Sequence, residues 1–217
     1  MRVWQVKFEV HQPLPSMPIP NVVVEEVQNH PSYMLDGRLR KDKGGQLSIT
    51  IGGRGCFRLD DQIIELTPGV AFLHNHTDPR TGYFYPKDEA ETWRFLWIAF
   101  HSETVEQMIA DINARYGYIF HLPLNCGLVR KLVAYHNYRG AVQVLTPLAG
   151  ARLVMDIFAG LGDTFEHRLI SNPQSILVSK AQEYVISNIS RNIKLTDIAT
   201  ALQISREHLS RVFCSIS

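Results

Sequence analysis

Between Leu47 and about Phe100 the chain consists of short runs of β-branched and aromatic residues broken by turn chemistry. Leu47-Ser-Ile-Thr-Ile51 alternates apolar with hydroxylic side chains, the period-two signature of a strand, and stops at Gly52-Gly-Arg-Gly55. Residues 56–59 turn at Asp60-Asp61, and residues 62–66 turn at Thr67-Pro-Gly69. Runs at 70–73, 83–85 and 92–100 complete the set. Strands this short and closely spaced predict a small antiparallel barrel or jelly roll. In the last run the alternation puts Trp93, Phe95, Trp97 and Ala99 on one face.

The period then lengthens. From Ser102 onward Val105, Met108, Ile109, Ile112 and Tyr116 recur at helical spacing, and a second helix is predicted over 126–138. A third, over 147–167, opens with Pro147 in its first turn. It carries Leu148, Ala151, Met155 and Phe158 on one stripe and Val154, Ile157 and Leu161 on another. Two stripes mean either a helix buried on two sides or one side against the barrel and the other in a dimer interface. Ser171-Asn-Pro173 is turn chemistry, which makes 168–174 a linker.

Beyond the linker, Ser175 is a cap candidate for a helix with Leu177, Ala181, Tyr184, Val185 and Ile189 on one face. Thr196, with Asp197 in the first turn, is expected to open a short helix over 197–202. Ser205 is expected to open another over 206–213, with only Gln203 and Ile204 between the two. Ala199 supplies the small residue needed where two such helices meet. Ile198, Leu202, Ile204, Leu209, Val212 and Phe213 form the buried side, leaving Arg206, Glu207, Ser210 and Arg211 on the outer face. Those four suit base edges and phosphates in a DNA major groove, although a solvated helix face would also be polar.

Composition adds limits. A 217-residue chain that is 45% hydrophobic has room for one full domain and a smaller one. The N-terminus has no apolar signal region and no segment approaches the ~18 apolar residues of a membrane span, so a cytoplasmic location is the default expectation. Cys56, Cys126 and Cys214 are scattered, without metal or redox spacing, and read as buried or free thiols. The net charge of +1 divides into five basic against three acidic residues from Pro173 onward, +2, leaving −1 before it. That asymmetry leans weakly towards a nucleic-acid-facing C-terminus.

Leu195-Thr-Asp-Ile-Ala-Thr-Ala-Leu-Gln-Ile-Ser-Arg-Glu-His-Leu-Ser-Arg-Val-Phe213 resembles the first helix-turn-helix of AraC-family transcription activators. Ala181-Gln-Glu-Tyr-Val-Ile-Ser-Asn188 resembles the preceding helix of that family. Gly53-Arg-Gly55, Leu66-Thr-Pro-Gly69, the segment 83–85 and Trp93-Arg-Phe-Leu-Trp-Ile-Ala-Phe100 are similar to its cupin-type effector-binding barrel. The fold class that follows is α+β: a small antiparallel, cupin-like or jelly-roll-like barrel with helices behind it, then an all-α helix-turn-helix segment. The expected organisation is an effector-binding and dimerisation domain over 1–167 (arm 1–45, barrel 46–101, helices 102–167) and a partial DNA-binding domain over 175–217.

The resemblance implies a homodimer that binds promoter DNA and contacts RNA polymerase, controlled by a small-molecule effector. It assigns effector positions to Arg38, Tyr83, Tyr85, Phe95 and Trp97. Phe95 stands where the family's arabinose-binding pocket has a histidine, so arabinose is disfavoured, but an aromatic wall still suits a sugar or glycoside. Gln203 stands where a turn glycine is common, which predicts left-handed strain. The family's second helix-turn-helix would lie beyond Ser217, so the chain reads as a truncated form in which one motif binds DNA weakly.

Two further readings stay open: a cupin-type metalloenzyme, and an effector-binding and dimerisation module without useful DNA affinity. For the first, His74-Asn-His76 supplies an H-x-H pair, but the glutamate that a cupin metal set needs is missing, and Asp78 is too close to replace it. No metal, other cofactor or catalytic residue is therefore assigned. No nucleophile arrangement or phosphate-cradling glycine loop stands out, and 52–55 reads as a β-corner.

Overall fold

A computed structural model describes residues 1–170, 173–188 and 193–214. Met1–Thr164 form one compact unit and Phe165–Ser217 a second. The order of elements in the first is β1 (Arg2–Val10), β2 (Ile19–Gln28), β3 (Met34–Asp36), β4 (Gly45–Gly52), β5 (Gly55–Leu59), β6 (Gln62–Leu66), β7 (Val70–Asn75), β8 (Thr81–Phe84) and β9 (Trp93–His101). These are followed by α1 (Val105–Tyr116), β10 (Ile119–His121), α2 (Gly127–Val133), β11 (Val142–Leu145) and α3 (Pro147–Ile170), with a 3-10 turn over Ala134–Tyr138 after α2.

The strands make two facing sheets. One has the order β10-β7-β4-β9-β2-β1-β11 and the other β3-β8-β5-β6. All pairings are antiparallel except β1 with β11. All six predicted strands are present. Residues 1–45, read as an arm, instead contribute three strands, two of them central to the larger sheet: β2 pairs β9 from Ile19↔His101 to Gln28↔Trp93.

At β4 and β9 the larger sheet is buried on both faces. Leu47, Ile49, Leu96, Ile98 and Phe100 point to the helix side, where they meet Val105, Ile109, Val129, Leu132, Val154, Ile157 and Leu161. Phe57, Phe72, Tyr83, Trp93 and Phe95 fill the space between the sheets. Each such side chain contributes about 1.5–3 kcal/mol on burial, so helices and barrel stabilise one another. The β-corner before β5 needs its glycines: Gly53 has φ +63°, and a Cβ on Gly55 would lie 2.2 Å from the Trp93 indole.

The two-stripe reading of α3 needs correction. Ala151 and Phe158 join Val154, Ile157 and Leu161 against the barrel, while Leu148 and Met155 are exposed (65% and 45%). The buried arc is therefore one continuous face, wide because it covers a twisted sheet. Cys56 and Cys126 are free thiols. No helix among the described residues is long and apolar enough to cross a membrane.

The second unit contains α4 (Pro173–Ser187), α5 (Leu195–Ala201) and α6 (Arg206–Cys214). Of the linker read at 168–174, residues 168–170 are helical in α3, residues 171–172 lie outside the described residues, and Pro173 opens α4. Ser175 is therefore inside that helix rather than its cap. Ala181, Ala199 and Leu209 form a small core with Leu177, Ile198, Leu202 and Ile204. Ile189 and the side chain of Phe213, expected on that side, lie outside the described residues, and Val185 is exposed (37%).

Candidate functional site

Between the sheets, strand alternation that elsewhere delivers apolar side chains delivers polar ones. β4 turns Gln46, Ser48 and Thr50 inward, all buried. Gln46 Nε2 donates to Ser48 Oγ (2.7 Å) and Tyr83 OH (3.2 Å), and Trp93 Nε1 donates to Thr50 Oγ1 (3.1 Å). Of these groups Gln46 and Tyr83 border a cavity of about 380 Å³, within the usual range for a small-molecule site. Trp97 and Ala99 from β9, Glu26 from β2, Tyr33, and Arg40 and Asp42 from the irregular segment 37–44 line it further.

Hydrogen bonds hold this wall in place. The Glu26 carboxylate accepts from Trp97 Nε1 (2.9 Å) and Gln28 Nε2 (2.6 Å). Asp42 accepts from Arg40 through Nε (3.0 Å) and Nη2 (2.5 Å), and His76 Nδ1 lies 2.8 Å from Asp42 Oδ2. That last contact is poorly aligned for a hydrogen bond, since His76 Nδ1 has no geometric partner. His76 N also donates to Gly44 O (2.9 Å), tying the segment to the end of β7. Arg40 Nη1 and the Nε2 atoms of His74 and His76 are buried without a hydrogen-bond partner. Polar atoms in that condition are rare, and they mark where a ligand or water belongs.

The electrostatics follow from burial. Desolvation, reinforced by His76 and Arg40, holds the His74 imidazole down at about 3, and desolvation reinforced by Arg40 holds His76 at about 4, so both rings are neutral near pH 7. The hydrogen bonds from Arg40 hold Asp42 at about 2. Burial pushes the Tyr33 hydroxyl well above its ordinary value and raises that of Tyr83, leaving both as neutral donors and acceptors.

Of the residues expected to hold an effector, Tyr83 and Trp97 are at the cavity wall. The other three are elsewhere. Arg38 is exposed and forms a bidentate pair with Asp36, whereas Arg40 is largely covered and lines the cavity. Phe95 is fully buried in a stack with Trp93 (centroids 4.2 Å apart). The Tyr85 hydroxyl donates to the carbonyls of Glu89 (3.1 Å) and Glu91 (2.9 Å), which fixes the loop before β9. Arg40, Asp42, Tyr33, Gln46 and Glu26 were missed. The signal for Gln46 was present in the alternation of β4, where polar positions naturally read as solvent-facing.

The H-x-H pair, His74 and His76, lies at and just beyond the C-terminal end of β7. The two rings are 6.0 Å apart, His74 Nδ1 lies 3.0 Å from Thr81 Oγ1, and the intervening Asn75 donates to Glu106 O (2.9 Å). Among the described residues no three His, Cys, Asp or Glu side chains are arranged to hold a metal ion.

In the second unit, Lys194 rather than Thr196 precedes the first residue of α5; Asp197 Oδ2 accepts from Lys194 N (2.9 Å). At the other end, Gln203 N donates to Thr200 O and Ile204 N to Ala199 O, the paired bonds of a Schellman turn. Gln203 takes the left-handed conformation (φ +55°) that such a turn demands. Ser205 Oγ then accepts from His208 N (3.1 Å) and caps α6. Arg206, Glu207, Ser210 and Arg211 are exposed together around a shallow hollow of about 420 Å³.

Fold and cavity together define a ligand-binding barrel domain backed by helices. Residues 37–170 match the family model of the AraC-like ligand binding domain, and the chain belongs to that family. The AraC-like transcriptional activator CuxR is 16% identical with a TM-score of 0.41, covering 91% of this chain and 70% of its own. ToxT from Vibrio cholerae O395 is 14% identical with a TM-score of 0.32, covering 89% and 74%. An RmlC-like cupin protein from Desulfovibrio desulfuricans is 18% identical with a TM-score of 0.28, covering 42% and 76%. No curated protein sequence matches the chain.

Proposed function

We propose that the protein is a transcription regulator whose barrel cavity binds a sugar or glycoside and whose α6 face reads promoter DNA. The observation that carries the effector part is the cavity itself: an aromatic side (Trp97, Tyr33), convergent hydrogen-bonding groups (Gln46, Tyr83, Glu26), and buried polar atoms of Arg40 and His76 left without partners. Sugar rings stack their C–H faces on aromatic side chains while their hydroxyls need such fixed polar groups. Arg206, Glu207, Ser210 and Arg211 are the DNA-facing residues in this reading; Arg211 suits the bidentate contact to guanine. A homodimer, formed with the help of exposed Leu148 and Met155 on α3, presents two such faces, and RNA polymerase is the partner at the promoter.

Selection from a randomised duplex pool tests the DNA part. The wild type is expected to enrich one sequence. Replacing Arg211 with Ala should cost about 1–3 kcal/mol on that sequence and relax the preference at the contacted position. Equal enrichment by the wild type and an R206A/R211A variant would count against α6 as the reader. Sedimentation of the wild type and an L148E/M155E variant tests the dimer: a wild-type monomer, or a variant that still dimerises, contradicts it.

A further inference from the structure

We infer that the effector is a sugar acid, whose carboxylate is taken by the Arg40 guanidinium and His76 in exchange for Asp42. The inference rests on the sugar-binding reading above and names the ligand class more narrowly.

The formal charges at the cavity, Arg2 and Arg40 against Glu26 and Asp42, cancel, but their hydrogen bonds do not. Glu26 is already satisfied by Trp97 and Gln28, so it does not call for a cationic ligand. The unmet demand is on the donor side. Arg40 uses Nε and Nη2 on Asp42 and has Nη1 left over, and neither ring nitrogen of His76 has a hydrogen-bond partner, so the single N–H of its neutral ring is left over too. A guanidinium edge is matched in shape to a carboxylate, and such pairs are roughly twice as strong as neutral hydrogen bonds.

Asp42 is the occupant that can be displaced. Its side chain is 58% exposed whereas Arg40 is 18% exposed, so Asp42 returns to water at little cost while Arg40 stays inside. Both residues belong to segment 37–44, which has no regular backbone pairing to break over residues 40–43. A free carboxylate on a ring stacked against Trp97 thus replaces one already present in the chain. The hydroxyls are left for Gln46 and Tyr83.

Calorimetric titration of the whole chain with matched pairs tests this: D-galacturonate against D-galactose, and D-glucuronate against D-glucose. In at least one pair the acid is expected to bind about tenfold or more tightly than the parent sugar. R40M should reduce that ratio to below about threefold. R40K, which keeps the charge without the fork, should fall between. D42N, which weakens the internal competitor, should raise the ratio, a change that a merely structural role for Asp42 would not produce. Thermal unfolding of each variant verifies folding. Parent sugars binding as tightly as their acids, or an unchanged ratio in both R40M and D42N, would overturn the inference while leaving a sugar site intact. No binding by either member of any pair would count against the sugar-binding reading as well.

Discussion

Acidification from about pH 7.5 to about pH 5.5 is expected to weaken the barrel by an amount set mainly by His74 and His76, with His101, also held below its ordinary value by desolvation, adding to it. His74 and His76 are buried in the native state, where their values fall from 6.5 to about 3 and about 4. In the unfolded chain they titrate normally. A group whose folded value is depressed resists protonation in the native state, so falling pH favours the unfolded state from 6.5 down to the folded value. Over that interval each histidine costs about 1.4 kcal/mol, since native protonation is still negligible at the lower pH, and the pair costs about 2.7 kcal/mol. Asp42, held at about 2, enters only in more acidic solution. The assay is urea unfolding at the two pH values followed by tryptophan fluorescence, because Trp4, Trp93 and Trp97 all lie in the first unit. H74Q and H76Q should each lower the overall stability yet shrink the pH-dependent difference by about 1.4 kcal/mol. If the double variant retains the full difference, or if the wild type is equally stable at both pH values, the neutral burial of these rings is wrong.

Two further substitutions probe the backbone. Gly55→Ala drives a methyl into the Trp93 indole at 2.2 Å, and Trp93 is fully buried and stacked, so the barrel should lose about 1–3 kcal/mol by the same urea assay. Gln203→Gly removes a side chain from the left-handed turn between α5 and α6 and should stabilise the second unit by about 0.5–1 kcal/mol, read as a higher midpoint of helical signal loss on heating; no gain would mean that the turn is unstrained.

Where the fold was legible in the sequence, one period dominated over enough residues. Strand alternation located β4 through β9, and the spacing of Val105, Ile109 and Ile112 located α1. β1 and β2 lie in the stretch that the family resemblance assigns to an arm, although Trp4, Val6 and Phe8 alternate cleanly and are buried. β10 and β11 are three and four residues long, too short to show a period, and they exist through pairing with β7 and β1. The site was legible by half. Trp97 and Tyr83 could be reached by strand parity and family resemblance, whereas Arg40 could not: nothing in Arg38-Leu-Arg40 says which guanidinium turns inward until the surrounding segment is folded. The polar lining was hidden by its own pattern, because an inward polar row and a solvated row have the same alternation.

The most direct test of an effector site in the barrel is a thermal unfolding series with a panel of sugars, sugar acids and glycosides on the wild type and on Trp97→Ala. A true effector at about one hundred times its Kd should stabilise the wild type by about 2.7 kcal/mol, and most of that gain should vanish in the variant. An equal gain in both proteins, or no gain with any member of the panel, would contradict the account.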